Sequence, residues 1–373
     1  MTTTPTPPPA SRTRPTVPLR ALLILPAGAA LLLGLNAALQ LLGTWAPVTS
    51  SRLADQHGYL MTLGFVGTLI ALERAVALGR LWGYAAPVLL SVGSIGAITP
   101  LPTAAGAWLM VAGASVLAAI YRPLWLRNRD EAVLVQALGA VCAVIAAALR
   151  AGGVPVSVLI AWLAGFVILT IAGERLELAR FAMGPRANAL LSSFALAYCC
   201  AAVVALLWPG VGYPLLGVVV VALTAWLAAN DVANKMIRTT GHTRFMAACM
   251  LAGYGWLLVA GVVWVGGPAF MGGPYDAVIH AVFIGFTISM IMAHSSVILP
   301  AVIRRPLPYR PVMWVAALVV HGGLVARIWL GDLLGIPLAH MVGGVANVVG
   351  VAGFFVIALG SALLATRSQG VSS

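Results

Sequence analysis

An all-α bundle of membrane-crossing helices is the fold class this sequence predicts, and three observations predict it. The 373 residues are 61% hydrophobic and only 8% charged, against roughly 25% charged in a soluble domain. One water-soluble core cannot enclose that much apolar surface, so lipid must serve as solvent. Apolar stretches of about 20 residues, the length that crosses a bilayer as helix, recur along the chain. Basic residues then alternate with those stretches: of 21 Lys and Arg, all but Arg52, Arg150 and Arg327 fall on one side when twelve crossings are counted. A positive-inside bias of this strength predicts both termini cytoplasmic.

The twelve spans are expected near 20–43, 57–79, 83–100, 104–121, 131–150, 155–174, 189–208, 212–230, 244–265, 275–300, 310–330 and 337–364. Residues 1–19 precede them as a Thr- and Pro-rich stretch ending in basic residues, the composition of a disordered cytoplasmic tail. No small-residue cleavage site follows the first apolar run, so that run is expected to anchor the chain. The membrane domain covers 20–364, and 365–373 forms a second short tail. Loops 122–130 and 231–243 are the largest on the inner side, while 44–56 and 266–274 on the outer side contain Gly and Pro. None is long enough for an extramembrane domain, and no internal repeat is legible. Whatever chemistry the chain performs lies within the bilayer or at its surface.

The net charge of +12 would suit nucleic acid, but its one-sided distribution serves topology and contact with anionic lipid instead. The four cysteines, Cys142, Cys199, Cys200 and Cys249, lie inside spans without a C-x-x-C spacing. They suit small buried apolar positions.

Histidine is costly in lipid, and its positions carry the functional signal. His57 opens the second span, His280 lies early in the tenth and His340 early in the twelfth. Span parity places all three toward the outer face. Turning by about 100° per residue puts His57, Met61, Gly64 and Thr68 on one stripe. The glycine leaves flat space of the kind a porphyrin plane needs, although a headgroup-level histidine above small packing residues reads the same stripe differently. In the tenth span His280, Thr287 and His294 repeat every seven residues and share a face. The two histidines stand about 21 Å apart along the axis. Asp276, one turn before His280, could accept a hydrogen bond from the ring nitrogen not used for a ligand.

The second and tenth spans run in the same direction, so His57 and His280 lie at similar depth. Two neutral imidazoles across a gap are an axial pair for a low-spin haem b. Arg52 and Arg327 at that face could neutralise haem propionates, and His340 is a third candidate ligand. On the inner side His294 and His321 are candidates for a second metal site. Glu73-Arg74 and Gly173-Glu174-Arg175-Leu176-Glu177 form either a proton path or snorkelling pairs.

These features resemble the NnrS family, bacterial haem- and copper-associated membrane proteins linked to nitric oxide stress. The matching pieces are His57, Gly58 and Gly64 in the second span, and Gly173-Glu174-Arg175 at the end of the sixth. A late span with His280-Ala281, Gly285 and Met290-Ile291 and a basic exit Arg305-Pro306-Leu307 completes the match. The resemblance implies haem, copper, and handling of nitric oxide or a related small gas in a bacterial inner membrane. The family shows a His-x-His pair at the second span where this chain has His57 alone. Twelve spans with histidines on the second and tenth are also similar to the catalytic subunit of haem–copper oxidases. Those enzymes need copper-binding histidines on spans six and seven, and residues 155–208 contain none. Two alternatives stay open: a b-type cytochrome exchanging electrons with quinol, and a metal- or proton-coupled transporter. The sequence leaves the oligomeric state undetermined.

Overall fold

Backbone polar groups in a bilayer must be satisfied within their own segment, which leaves the helix as the default element for an open chain. The computed structural model describes residues 19–99, 103–304 and 306–371, and among these residues every element is helical. The 1–18 part of the expected tail lies outside the described residues. Twelve helices are long and apolar enough to cross a membrane: α1 Arg20–Leu41, α2 His57–Leu78, α3 Leu81–Ile98, α4 Ala104–Asn128, α5 Glu131–Ala151, α6 Val156–Ala179, α7 Ala187–Leu207, α8 Pro209–Asn230, α9 Gly241–Val265, α10 Gly272–Val297, α11 Met313–Leu333 and α12 Pro337–Ala365. The protein is an all-α polytopic membrane bundle.

Two stretches expected outside the spans, a loop and a tail, turn out helical. The 122–130 stretch continues α4 to Asn128 despite Pro123, so only Arg129 and Asp130 connect α4 to α5. Arg129 takes a left-handed backbone, φ 51°, and its guanidinium lies 4.3 Å above the Trp125 ring. Asp130 then accepts from the Ala132 N–H at 3.0 Å and caps α5, satisfying one of the donors a helix start leaves free. At the other end the last helix runs to Val371, taking in most of the 365–373 tail.

Neighbouring helices in sequence pack as antiparallel pairs, and α1 also meets α12, joining the two ends of the chain. Burial then separates the helices into two classes. α6 is 83% buried, α10 78% and α2 67%, whereas the other nine range from 28% to 56%. The buried helix is thus the second of each successive group of four. The lower part of α2 touches α10 directly, and α10 touches α6. The candidate histidines His57 and His280 therefore sit on two of the three inner helices.

Three stretches inside the spans widen from α to π geometry: Leu60–Gly67 in α2, Ala281–Ile288 in α10 and Val325–Leu333 in α11. Such stretches collect at functional sites. Here one begins three residues after His57, one begins directly after His280, and the third contains Arg327. They also change the helical register. The sevenfold spacing that placed His280 and His294 on one face assumes uniform α geometry. With a π stretch between them, His280 bonds Asp276 of its own helix while His294 meets Arg175 of α6.

Candidate metal centre

The layer around His57 and His280 is built from α1, α2, α10 and α11. His57 Nδ1 lies 2.9 Å from the Gly34 carbonyl oxygen on α1. His280 Nδ1 lies 2.8 Å from the Asp276 carbonyl oxygen, one turn earlier, and 3.2 Å from Asp276 Oδ2. A carbonyl oxygen only accepts, so in each neutral ring Nδ1 carries the proton and Nε2 keeps its lone pair. Metal-ligating histidines are oriented in this way. His57 lies within electrostatic reach of His280, Arg327 and Asp276. Asp276 serves His280 as expected, through its main chain as well as its carboxylate.

The supporting charges differ from expectation. Arg327 forks onto Asp276, with Nε to Oδ2 and Nη2 to Oδ1 both at 2.7 Å. This bidentate, largely buried bond commits Arg327 to the protein. Arg52 is exposed and donates to the Thr99 carbonyl at 2.7 Å, away from the pair. His340 lies in reach of α11, its Nδ1 2.9 Å from Asp332 Oδ1. Asp276, Asp332 and His340 place ligand-type atoms within 4.8 Å of one another, and Asp332 Oδ2 has no hydrogen-bond partner. The Arg327 fork already brings positive charge to both oxygens of Asp276. Asp332 escaped the sequence reading. Its signal was its place five residues after Arg327 in a helix end.

A haem between His57 and His280 meets the structure in two ways. The donor set fits: two bare Nε2 atoms on inner helices. The glycine surfaces do not offer the ring its place. The open side of Gly64 is taken by Ser94 and Ala30, and a Cβ on Gly285 would overlap the Trp256 indole. The stripe below His57 faces α1 and α3, with Thr68 Oγ1 3.4 Å from Ser91 Oγ. These glycines are close helix contacts of the kind small residues provide in membranes.

At the opposite face the second expected metal site is not assembled. His294 Nδ1 lies 2.8 Å from the Met290 carbonyl oxygen, and Nε2 accepts from Arg175 Nη1 at 2.9 Å. His321 Nδ1 accepts from Trp256 Nε1 at 3.0 Å. Each histidine has spent its lone pair, one on α6 and the other on α9. Arg175 is instead the hub of a buried network. Its Nε and Nη2 reach the Asp231 oxygens at 2.8 and 2.9 Å, and Tyr254 Oη donates to Asp231 Oδ2 at 2.6 Å. A cavity of about 200 Å³ adjoins the network, lined in part by Met236, Met246 and Met250. His242 opens α9, stacks on Tyr309 with ring centroids 5.5 Å apart and bonds Ser296 Oγ at 2.7 Å.

Twelve spans, three inner helices and an imidazole pair on two of them define a multi-pass helical membrane protein with a histidine layer near one face. The chain matches a family model described as a domain of unknown function, DUF8744, over residues 20–363, and it belongs to that family. No curated protein and no solved structure matches the chain.

Proposed function

We propose that this protein is a b-type haem protein of a bacterial inner membrane, with His57 and His280 as the iron ligands, working in nitric oxide or related small-gas redox chemistry. The observation that carries the ligand assignment is the pair of carbonyl-held Nδ1 atoms, which leaves two bare Nε2 atoms on inner helices. The link to nitric oxide rests on the resemblance to the NnrS family. Copper would need donors beyond His57.

A haem bound here supplies one-electron redox chemistry. Gly34 and Asp276 orient the two imidazoles through their carbonyls. The Arg327 fork fixes the Asp276 carboxylate 3.2 Å from His280 Nδ1, so Arg327 positions His280 at one remove. A haem held by His57 and His280 would supply electron exchange without either histidine leaving.

The test is an absorption spectrum of the detergent-purified full chain, oxidised and dithionite-reduced, after expression with haem supplied. A Soret band with sharp bands on reduction is expected, and a featureless spectrum would remove the proposal. The same reading places both termini in the cytoplasm. Reporter fusions at the two ends should both report that compartment, and an external signal from either would reverse the orientation.

A further inference from the structure

A second cluster of ionisable groups lies at the terminal face, far along α2 from His57. Arg74, 9% exposed, forks onto Glu73 with Nε to Oε2 at 2.9 Å and Nη2 to Oε1. Its Nη1 donates to Gln136 Oε1 of α5 at 3.0 Å. Two further carboxylates from α6 stand around the same guanidinium: Glu174 Oε1 at 3.6 Å and Glu177 Oε2 at 3.9 Å. Gln136 Nε2 donates to Glu177 at 3.1 Å.

One guanidinium thus faces three carboxylates, and two negative charges remain. Among the described residues the other nearby cations are spent elsewhere: Arg175 on Asp231 and Arg127 on the carbonyls of Ala77 and Leu78. Glu73 and Glu177 receive hydrogen bonds, but among the described residues none donates to Glu174, whose ion-pair contact is Arg74 Nη2 at 3.6 Å and whose side chain is 20% exposed. A carboxylate without a donor, beside two like charges and largely out of water, is a costly arrangement.

A separate observation points to what relieves it. Tyr121 of α4 is 1% exposed, and its hydroxyl has no hydrogen-bond partner. The phenol lies within electrostatic reach of Arg74, Glu174, Glu73 and Glu177. A buried hydroxyl is seldom left unpaired. The site therefore holds excess negative charge, a carboxyl lacking a donor and an unused hydroxyl.

We infer that Glu73, Glu174 and Glu177 form a proton-binding site open to the terminal face, with Glu174 carrying the proton. A metal ion suits the same charge count but would be repelled by the guanidinium at the centre, whereas a proton on Glu174 removes one negative charge without approaching Arg74. The half-exposed Glu177 (45%) is the contact with water through which the proton enters and leaves. This inference stands apart from the haem reading, since none of its residues touches His57 or His280.

Infrared spectra of the purified full chain in H2O and D2O at about pH 7 test it, because an unperturbed Glu is ionised well above its value of about 4.3 and gives no acid carbonyl band. The wild type should show a deuterium-sensitive carboxylic-acid band. Glu174→Gln should lose it, and Tyr121→Phe should keep it at a shifted frequency. A wild-type spectrum without the band, or an undiminished band in Glu174→Gln, would overturn the inference. Should Glu174→Gln fail to fold, an unmoved band in Tyr121→Phe overturns it instead. Loss of the band when sodium chloride replaces choline chloride at fixed pH would make this a metal-ion site and also overturn it.

Discussion

His57→Ala and His280→Ala should each strip the purified protein of haem, while His242→Ala and His340→Ala leave it loaded. Loss of an outer-shell partner lowers metal affinity by roughly 10–100-fold, and loss of a ligand should exceed that. Both residues offer a bare Nε2 on an inner helix, with Nδ1 fixed by Gly34 or Asp276, so neither has a neighbour that can replace it. His242 is bound to Ser296 and stacked on Tyr309. His340 is held by Asp332 on α11. Haem content per chain, read from the pyridine haemochrome spectrum, checks all four variants. Full occupancy after losing either His57 or His280 would reject the pairing, and loss in His340→Ala would move one ligand to α12.

The largest effect on stability is expected from Arg175→Leu. The Arg175 side chain is 5% exposed and that of Asp231 fully buried. Breaking a buried pair from one side costs about 3–5 kcal/mol, because the surviving charge has no partner. Replacing both members by apolar residues often costs little, so Arg175→Leu with Asp231→Leu should recover most of the loss. Thermal unfolding in detergent checks the series, and a double variant no better than Arg175→Leu would show that the pair does not act as a unit. The pH dependence has a definite sign. Burial pushes the Asp231 carboxyl up, but the Arg175 hydrogen bond and charge, with Tyr254 and the Ala233 N–H, outweigh burial and hold it below the usual carboxylate range. A depressed carboxyl contributes stability that is fully present above its unfolded value of about 3.9 and is lost as pH falls through the folded value. In Arg175→Leu the main cause of that depression is gone, so the gap between wild type and variant should be widest near neutral pH and narrow as pH falls through the carboxylate range into strong acid.

How much of the site could be read beforehand follows from what each signal depends on. His57 and His280 were legible because a histidine in a lipid-length apolar run is rare, and span parity sets its depth. Asp276 was legible as a neighbour one turn away. The partners of Arg175 were not, since Asp231 follows α8 in sequence and joins Arg175 and Tyr254 only through packing. The partner of His294, Arg175 on α6, was hidden for a related reason, and the π stretch Ala281–Ile288 interrupts the uniform turn on which its shared face with His280 was reckoned.

The sequence by itself determined that this protein crosses a membrane twelve times, near which residues each crossing begins, and which histidines lie toward one face. Those properties follow from hydropathy, charge asymmetry and helical rise, all local or additive along the chain. Tertiary structure decided that α2, α6 and α10 are the inner helices. Lipid tails are as apolar as leucine, so a side chain facing the bilayer and one facing another helix carry the same hydropathy. Tertiary structure also decided which charges pair, Arg327 with Asp276 and Arg175 with Asp231. Each of those partners lies on a different helix, and only packing brings them within hydrogen-bond distance.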